Sequence, residues 1–244
     1  PSKITVKGSD TLVVQAQKWA EVYMNKKSEV KIQVTGGGTG TGFAALQNQT
    51  TDLCNASRKI RAAEIAECIK AFGKRPTEYK VCLDGLSVYV AAENPVKELT
   101  LEQLMLIFTG KVKNWKDLGG NDAPITVYSR ENSSGTYEFF KEIVLQGKDF
   151  AATAQTMPGT AAVLQAVAKD KNSIGYGGAA YGAGAKHLAI KKDENSPAVE
   201  PEEPASNARF AHFTPPTSGQ VCLCQPRKAL EFRYGAPLRP RRGW

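Results

Sequence analysis

Histidine is almost missing from this sequence: only His187 and His212 occur in 244 residues. The five cysteines, Cys54, Cys68, Cys82, Cys222 and Cys224, contain no CxxC pair. A zinc site needs three or four thiolate or imidazole ligands at short spacing, so the pattern excludes one, and we expect no metal or cofactor. An odd number of cysteines cannot complete an internal disulfide set. Buried apolar thiols are expected, with Cys68 and Cys82 the one pair able to bridge in an oxidising compartment. No apolar run approaches the ~20 residues of a membrane-spanning helix. No tandem repeat recurs at a fixed period.

Acidic residues are fewer than basic ones, 24 Asp and Glu against 32 Lys and Arg, for a net charge of +8. The excess is local. Residues 227–244 hold Arg227, Lys228, Arg233, Arg239, Arg241 and Arg242 against Glu231 alone, which accounts for five of the eight charges. The body is only mildly basic, which argues against a nucleic-acid-binding face and for a small anionic ligand. With 41% hydrophobic and 23% charged residues, the chain has the composition of a globular protein with one large or two ordinary domains.

Along the chain, strand and helix patterns alternate. KITVK reads as a strand and VVQAQKWAEVYMNKK as a helix; VKIQVT is a second strand that ends in GGGTGTG, where a second helix begins. TDLCNASRKI is a short strand or loop, followed by the helix RAAEIAECIKAF. KVCLDGLSVYVAA is a long apolar strand broken at Asp84-Gly85, a candidate crossing between domains. TLEQLMLIF is helical, PITVYSRENSSGTYEFFKEIV is strand, polar loop and helix, and MPGTAAVLQAVAKDKNSIGYGG is a helix and then a strand. KHLAIKK is a further strand, and beyond residue 193 no convincing periodic segment follows. The pattern is α/β, with polar loops at the carboxyl ends of strands, where ligands bind in open sheets.

Three of those loops carry hydroxyls and glycine at a helix start. The first is Gly8-Ser9-Asp10-Thr11-Leu12, the second Gly36 to Gly42 with Thr39 and Thr41, and the third Ser129 to Thr136 with Arg130, Ser134 and Gly135. The glycine run is not a nucleotide-hydrolysis loop, because Phe43 and Ala44 stand where Lys and Ser or Thr are required. Nor is it a dinucleotide fingerprint, since Thr41 replaces the third glycine. Unpaired N–H groups and the positive end of a helix suit an anion at each loop, and Arg130 adds a two-pronged donor for a tetrahedral oxyanion.

GSDTL, GGGTGTG, TDLCNASRKI, SRENSSGTYEFF and SIGYGG, in this order and spacing, resemble the periplasmic phosphate-binding proteins of ABC-type uptake systems. The resemblance runs over about residues 3–192. It implies two α/β domains joined by two hinge crossings, residues 1–87 plus 182–244 and residues 88–181, with inorganic phosphate in the cleft between them. It implies as ligands Thr11, Leu12 through its N–H, Thr39, Asp52, Arg130, Ser134, Gly135 and Thr136, with Ser9 as an addition. Asp52 would accept the proton of phosphate, repel sulfate and pair with Arg130. The resemblance further implies a monomeric receptor that is not an enzyme, binds no nucleic acid, and delivers phosphate to a membrane permease. Since the chain opens directly on a strand, we expect the mature form of a periplasmic or cell-surface protein. The alternatives are a receptor for sulfate or molybdate and a phosphate-ester hydrolase with Ser134 or Thr39 as nucleophile. The final stretch, KALEFRYGAPLRPRRGW, departs from the family's closing amphipathic helix, and its prolines oppose a regular helix.

Overall fold

The computed structural model describes residues 2–181, 185–199 and 220–226. In chain order the elements are β1 (Ser2–Gly8), α1 (Val13–Lys26), β2 (Val30–Thr35), α2 (Thr39–Gln47), β3 (Leu53–Ala56), α3 (Ala62–Phe72), β4 (Thr77–Asp84) and β5 (Leu86–Val90). Then follow β6 (Glu98–Thr100), α4 (Leu101–Phe108), β7 (Thr126–Arg130), α5 (Gly135–Ile143), β8 (Gln155–Met157), α6 (Thr160–Lys169), β9 (Ser173–Gly178), β10 (Lys186–His187), β11 (Ala189–Lys191) and β12 (Gln220–Pro226).

These strands form two five-stranded sheets, in the orders β2-β1-β3-β12-β4 and β10-β5-β9-β7-β8, with β11 and β6 paired separately. β1 is parallel to both β2 and β3, so their carboxyl ends share one edge. The crossover from β1 to β2 and the return from β2 past β1 to β3 run in opposite directions. Right-handed connections therefore place α1 and α2 on opposite faces of the sheet and leave a crevice at that edge. In the second sheet β7 is parallel to β8 and β9, and its carboxyl end, Arg130, opens onto α5.

Burial explains the pairing of sequence pattern and element. β2 alternates between half-buried and exposed residues, as a strand with one covered face does. All four residues of β3 are buried, as in a strand covered on both faces. Phe43, Leu46, Cys54, Ala56, Ile60 and Cys68 form the core between the first sheet and α2 and α3. The larger core of the second lobe gathers Val88, Val90, Leu104, Ile107, Phe108, Trp115, Phe140 and Tyr176. Its aromatic rings pack directly, Phe140 on Tyr176 at a centroid separation of 4.0 Å. Thr100 and Gln103 cap α4 reciprocally, each side chain accepting the other's backbone N–H at 3.1 and 2.8 Å.

The break at Asp84-Gly85 is a change of sheet: β4 belongs to the first and β5 to the second. The expected return at residue 182 is corrected. KHLAIKK is two short strands, and both stay with the second lobe, β10 on β5 and β11 on β6. β12 is a second correction: the segment without visible periodicity supplies an inner strand of the first sheet, parallel to β3 and β4. A strand paired on both sides needs no polar alternation to be one. Cys68 is a buried free thiol, unbridged, and burial pushes it up from its ordinary pKa. The side chain of Cys82 and the arginine-rich stretch 227–244 lie outside the described residues.

α2 lies against β1 and β3 through Gly42. A Cβ there would stand 2.7 Å from the Gly8 Cα, 2.7 Å from the Lys7 carbonyl oxygen and 2.8 Å from Cys54 Sγ. Two of those neighbours are backbone and cannot step aside. Gly42→Ala is therefore expected to destabilise the protein by about 1–3 kcal/mol through overpacking. The urea midpoint measures it, and an unchanged midpoint would contradict this account of the packing.

Candidate functional site

Four helix starts meet where the two sheets face each other. Ser9, Asp10 and Thr11 follow β1, Thr39 opens α2, Ser134 caps α5, and Thr160 opens α6. Ser57, the residue after β3, sits among them. The hydroxyls bond to one another: Ser9 donates to Ser57 at 3.0 Å, Thr39 and Ser57 share a bond of 3.2 Å, and Thr11 and Thr136 share one of 3.0 Å across the lobes. Ser9, Thr39, Ser57, Ser134 and Thr136 are all buried.

Gly135 is what allows this approach. A Cβ on it would lie 2.6 Å from both Ser57 Oγ and Thr39 Oγ1, so any other residue would fill the place where these groups converge. Ser134 accepts from the Tyr137 N–H at 3.3 Å, as an N-cap does. The N–H groups of the first helical turn have no intrahelical acceptor, and they bring the positive end of α5 to the hydroxyls.

Arg130 is the charge of the site, and its side chain is 1% exposed. Nε donates to Glu131 Oε2 at 3.1 Å, and Nη2 to Glu131 Oε1 at 3.0 Å and Asp10 Oδ2 at 3.1 Å. Nη1 donates to Thr160 Oγ1 at 2.8 Å. Its backbone N–H donates to the Tyr176 hydroxyl at 3.3 Å, which fixes the end of β7 to β9. Burial pushes the Tyr176 phenol far above its ordinary range, so it stays neutral as a partner. Asp10 in turn binds the glycine run, accepting from the Gly37 N–H at 2.9 Å. Tyr181 donates to the backbone oxygens of Asp10 and Thr11 at 2.8 and 3.2 Å.

Comparison with known proteins places the chain in a family. A family model described as the PBP superfamily domain matches residues 1–220. The chain belongs to the PBP superfamily. It is 37% identical over 209 residues to the phosphate-binding protein PstS of Pseudomonas aeruginosa, which covers 80% of this chain and 65% of that protein. The PstS of Staphylococcus epidermidis is 33% identical over 215 residues, 85% of this chain and 65% of its own. The chain thus spans 65% of the length of these curated relatives. Among solved structures, a Clostridium perfringens protein with bound phosphate is similar at 30% identity and a TM-score of 0.71, over 79% of this chain and 77% of that one. An ABC-type phosphate transport receptor from Vibrio cholerae is similar at 28% identity and a TM-score of 0.60, over 78% of each chain.

Within this superfamily member, the structure brings together Ser9, Thr11, Thr39, Arg130, Ser134, Gly135 and Thr136. Leu12 is buried beside them, and its N–H closes a turn on the Ser9 oxygen at 3.2 Å. Asp52 is a correction. It precedes β3 at the level of Thr5, in the middle of β1 and short of the carboxyl edge. Its Oδ2 accepts from the Thr5 N–H at 2.7 Å and the Thr5 hydroxyl at 2.8 Å. The carboxylates that meet Arg130 are Asp10 and Glu131, and the residue just past the carboxyl end of β3 is Ser57. The rule applied to the other strands, that the site lies after the strand, points to Ser57 within CNASRKI.

Burial opposes ionisation of Glu131, but the Arg130 hydrogen bonds and charge, with the Gly159 N–H, outweigh it and hold the carboxyl below its ordinary range. A carboxyl lowered on folding adds stability that is complete above its unfolded value of about 4.3 and is lost as pH falls through the folded value. Glu131→Gln should therefore lower stability at neutral pH and flatten the acid limb of the stability curve. Denaturation measured from pH 7 down to pH 3 checks this, and parallel curves for parent and variant would contradict it.

Proposed function

We propose that the chain is a phosphate receptor of an ABC-type uptake system: it closes on inorganic phosphate between its lobes and hands it to a membrane permease. The observation that carries this reading is the buried Arg130 guanidinium set among helix starts and hydroxyls, a donor-rich site of the kind a tetrahedral oxyanion fits. The phosphate-binding relatives support the choice of anion. We assign as ligands Ser9, Thr11, Thr39, Ser57, Arg130, Ser134, Gly135 and Thr136, and leave out the Leu12 N–H, which is held by the Ser9 oxygen. Ligand contacts drawn from both lobes favour the closed form, and the change of sheet at Asp84-Gly85 serves as a hinge. In this reading the protein acts outside the cytoplasm as a monomer, without cofactor and without nucleic acid.

Specificity for phosphate over sulfate moves from Asp52 to Asp10. A carboxylate only accepts hydrogen bonds and has about four lone-pair sites, so one beyond those used by Gly37 and Arg130 is open to a ligand hydroxyl. Phosphate near neutral pH carries a proton for it and sulfate does not. An unprotonated oxygen set against Asp10 in a dry cleft is a repulsive contact that rejects sulfate. A phosphate-ester hydrolase is the weaker reading, since it needs a general base. Among the described residues no carboxylate or imidazole is hydrogen-bonded to the hydroxyl of Thr39 or Ser134, and His187 is hydrogen-bonded to Ser87 at 2.7 Å on the β5–β10 pair.

Calorimetric titration with phosphate and sulfate tests the assignment. Arg130→Ala strands Asp10 and Glu131 and removes the buried cation, so it should cost about 2–5 kcal/mol of phosphate binding, well over tenfold in affinity. Affinity within a factor of two of the parent would sink the assignment. Asp10→Asn offers an N–H as well as an acceptor and should narrow the phosphate-to-sulfate gap, mainly by letting sulfate bind better. A parent that binds sulfate as tightly as phosphate would overturn the phosphate reading itself.

A further inference from the structure

A second set of charges joins the lobes beside the hydroxyl cluster, and its side chains form no hydrogen bond with the assigned ligand residues. Arg58, next to Ser57, is fixed by its own lobe. Its Nη1 and Nη2 donate to Glu64 Oε2 and Oε1 at 2.9 and 2.8 Å, and its guanidinium carbon lies 4.9 Å from the centre of the Phe43 ring. From there Nε faces Glu138 Oε2 of α5, across the lobes, at 2.6 Å. The same oxygen accepts from Arg61 Nη2 at 2.7 Å. The Arg58 and Glu138 side chains are 12% and 21% exposed, whereas Arg61 is 61% exposed.

Glu138 thus faces Arg58, Arg61 and Glu64 of the first lobe, with Glu142 on its own helix. Burial lifts its carboxyl above the ordinary range, against the pull of the two guanidiniums. Closing the lobes takes a carboxylate out of water, and a closed geometry that brings both guanidiniums to it offsets that cost. A closure out of register would leave the carboxylate without its partners. α5 carries both Glu138 and, one turn earlier, Ser134 to Thr136, so the register of this contact is the register of the site.

We propose that Arg58, Arg61 and Glu138 form a latch that selects one closed geometry and sets the closed fraction of the protein. They are positioning residues: apparent affinity for an anion scales with the fraction of molecules able to hold it, so the latch tunes affinity without touching the ligand. The inference rests on closure of two lobes and not on the identity of the anion.

The test is a charge reversal and a charge swap. Glu138→Arg sets three cations together, and Arg61→Glu combined with it restores an opposite pair at an exposed position that tolerates substitution. Small-angle scattering is recorded without anion and with inorganic phosphate, and phosphate affinity is titrated in parallel. The reversal should require at least about tenfold more phosphate to compact the protein, and the swap should recover to within about threefold of the parent. Reversal and parent alike in both size and affinity, or a swap no better than the reversal, would overturn the latch. Should the reversal fail to fold, Glu138→Gln takes its place, with a loss of about three- to tenfold expected and an unchanged affinity contradicting the proposal. If the parent itself binds no phosphate, the phosphate reading fails. The latch is then judged without anion, by a larger particle for the reversal and parent size for the swap, and equal sizes for all three overturn it.

Discussion

The burial of one guanidinium organises this molecule. A cation moved out of water costs several kcal/mol unless its donors are met, and Arg130 meets that demand with partners from three segments of chain. Asp10 comes from the first lobe, and Glu131 and Thr160 from the second. Asp10 and Thr160 stand at the starts of helices, so satisfying Arg130 also fixes where those helix ends point. The glycine run is tied into the same set through the contact of Gly37 with Asp10. An anion that enters here meets donors already oriented by the fold, which limits the ordering that binding must supply.

Much of this was legible in the sequence, because strand-to-helix loops obey local rules. The hydroxyls of the first three loops, Arg130 and the change of sheet at Gly85 could all be read from residues close together in the chain. Asp52 could not be placed, since its role depends on a register between β1 and β3, and that register is a long-range fact. It puts Asp52 beside Thr5 and Ser57 at the edge. The interlobe contact of Arg58 with Glu138 was hidden for the same reason. β12 was hidden for another: an inner strand of a parallel sheet carries no alternation, and QVCLCQP shows none.

In the proposed reading, the two interlobe charge contacts among the described residues divide the work of closure. Asp10 with Arg130 lies at the hydroxyl cluster and bears on what is bound. Arg58 and Arg61 with Glu138 lie beside it and bear on how the lobes meet. Since α5 is common to both, a shift of that helix alters site and contact together, which couples recognition to closure without a long chain of intermediates.

The central claim is that a tetrahedral oxyanion sits among the helix starts between the lobes. Arsenate, a tetrahedral analogue of phosphate whose arsenic atom scatters anomalously, locates it directly in crystals grown with the anion. The account predicts one strong anomalous peak within hydrogen-bond distance of Thr39, Ser57, Arg130 and Thr136. A saturated crystal with no peak there, or with the main peak elsewhere on the protein, would contradict it.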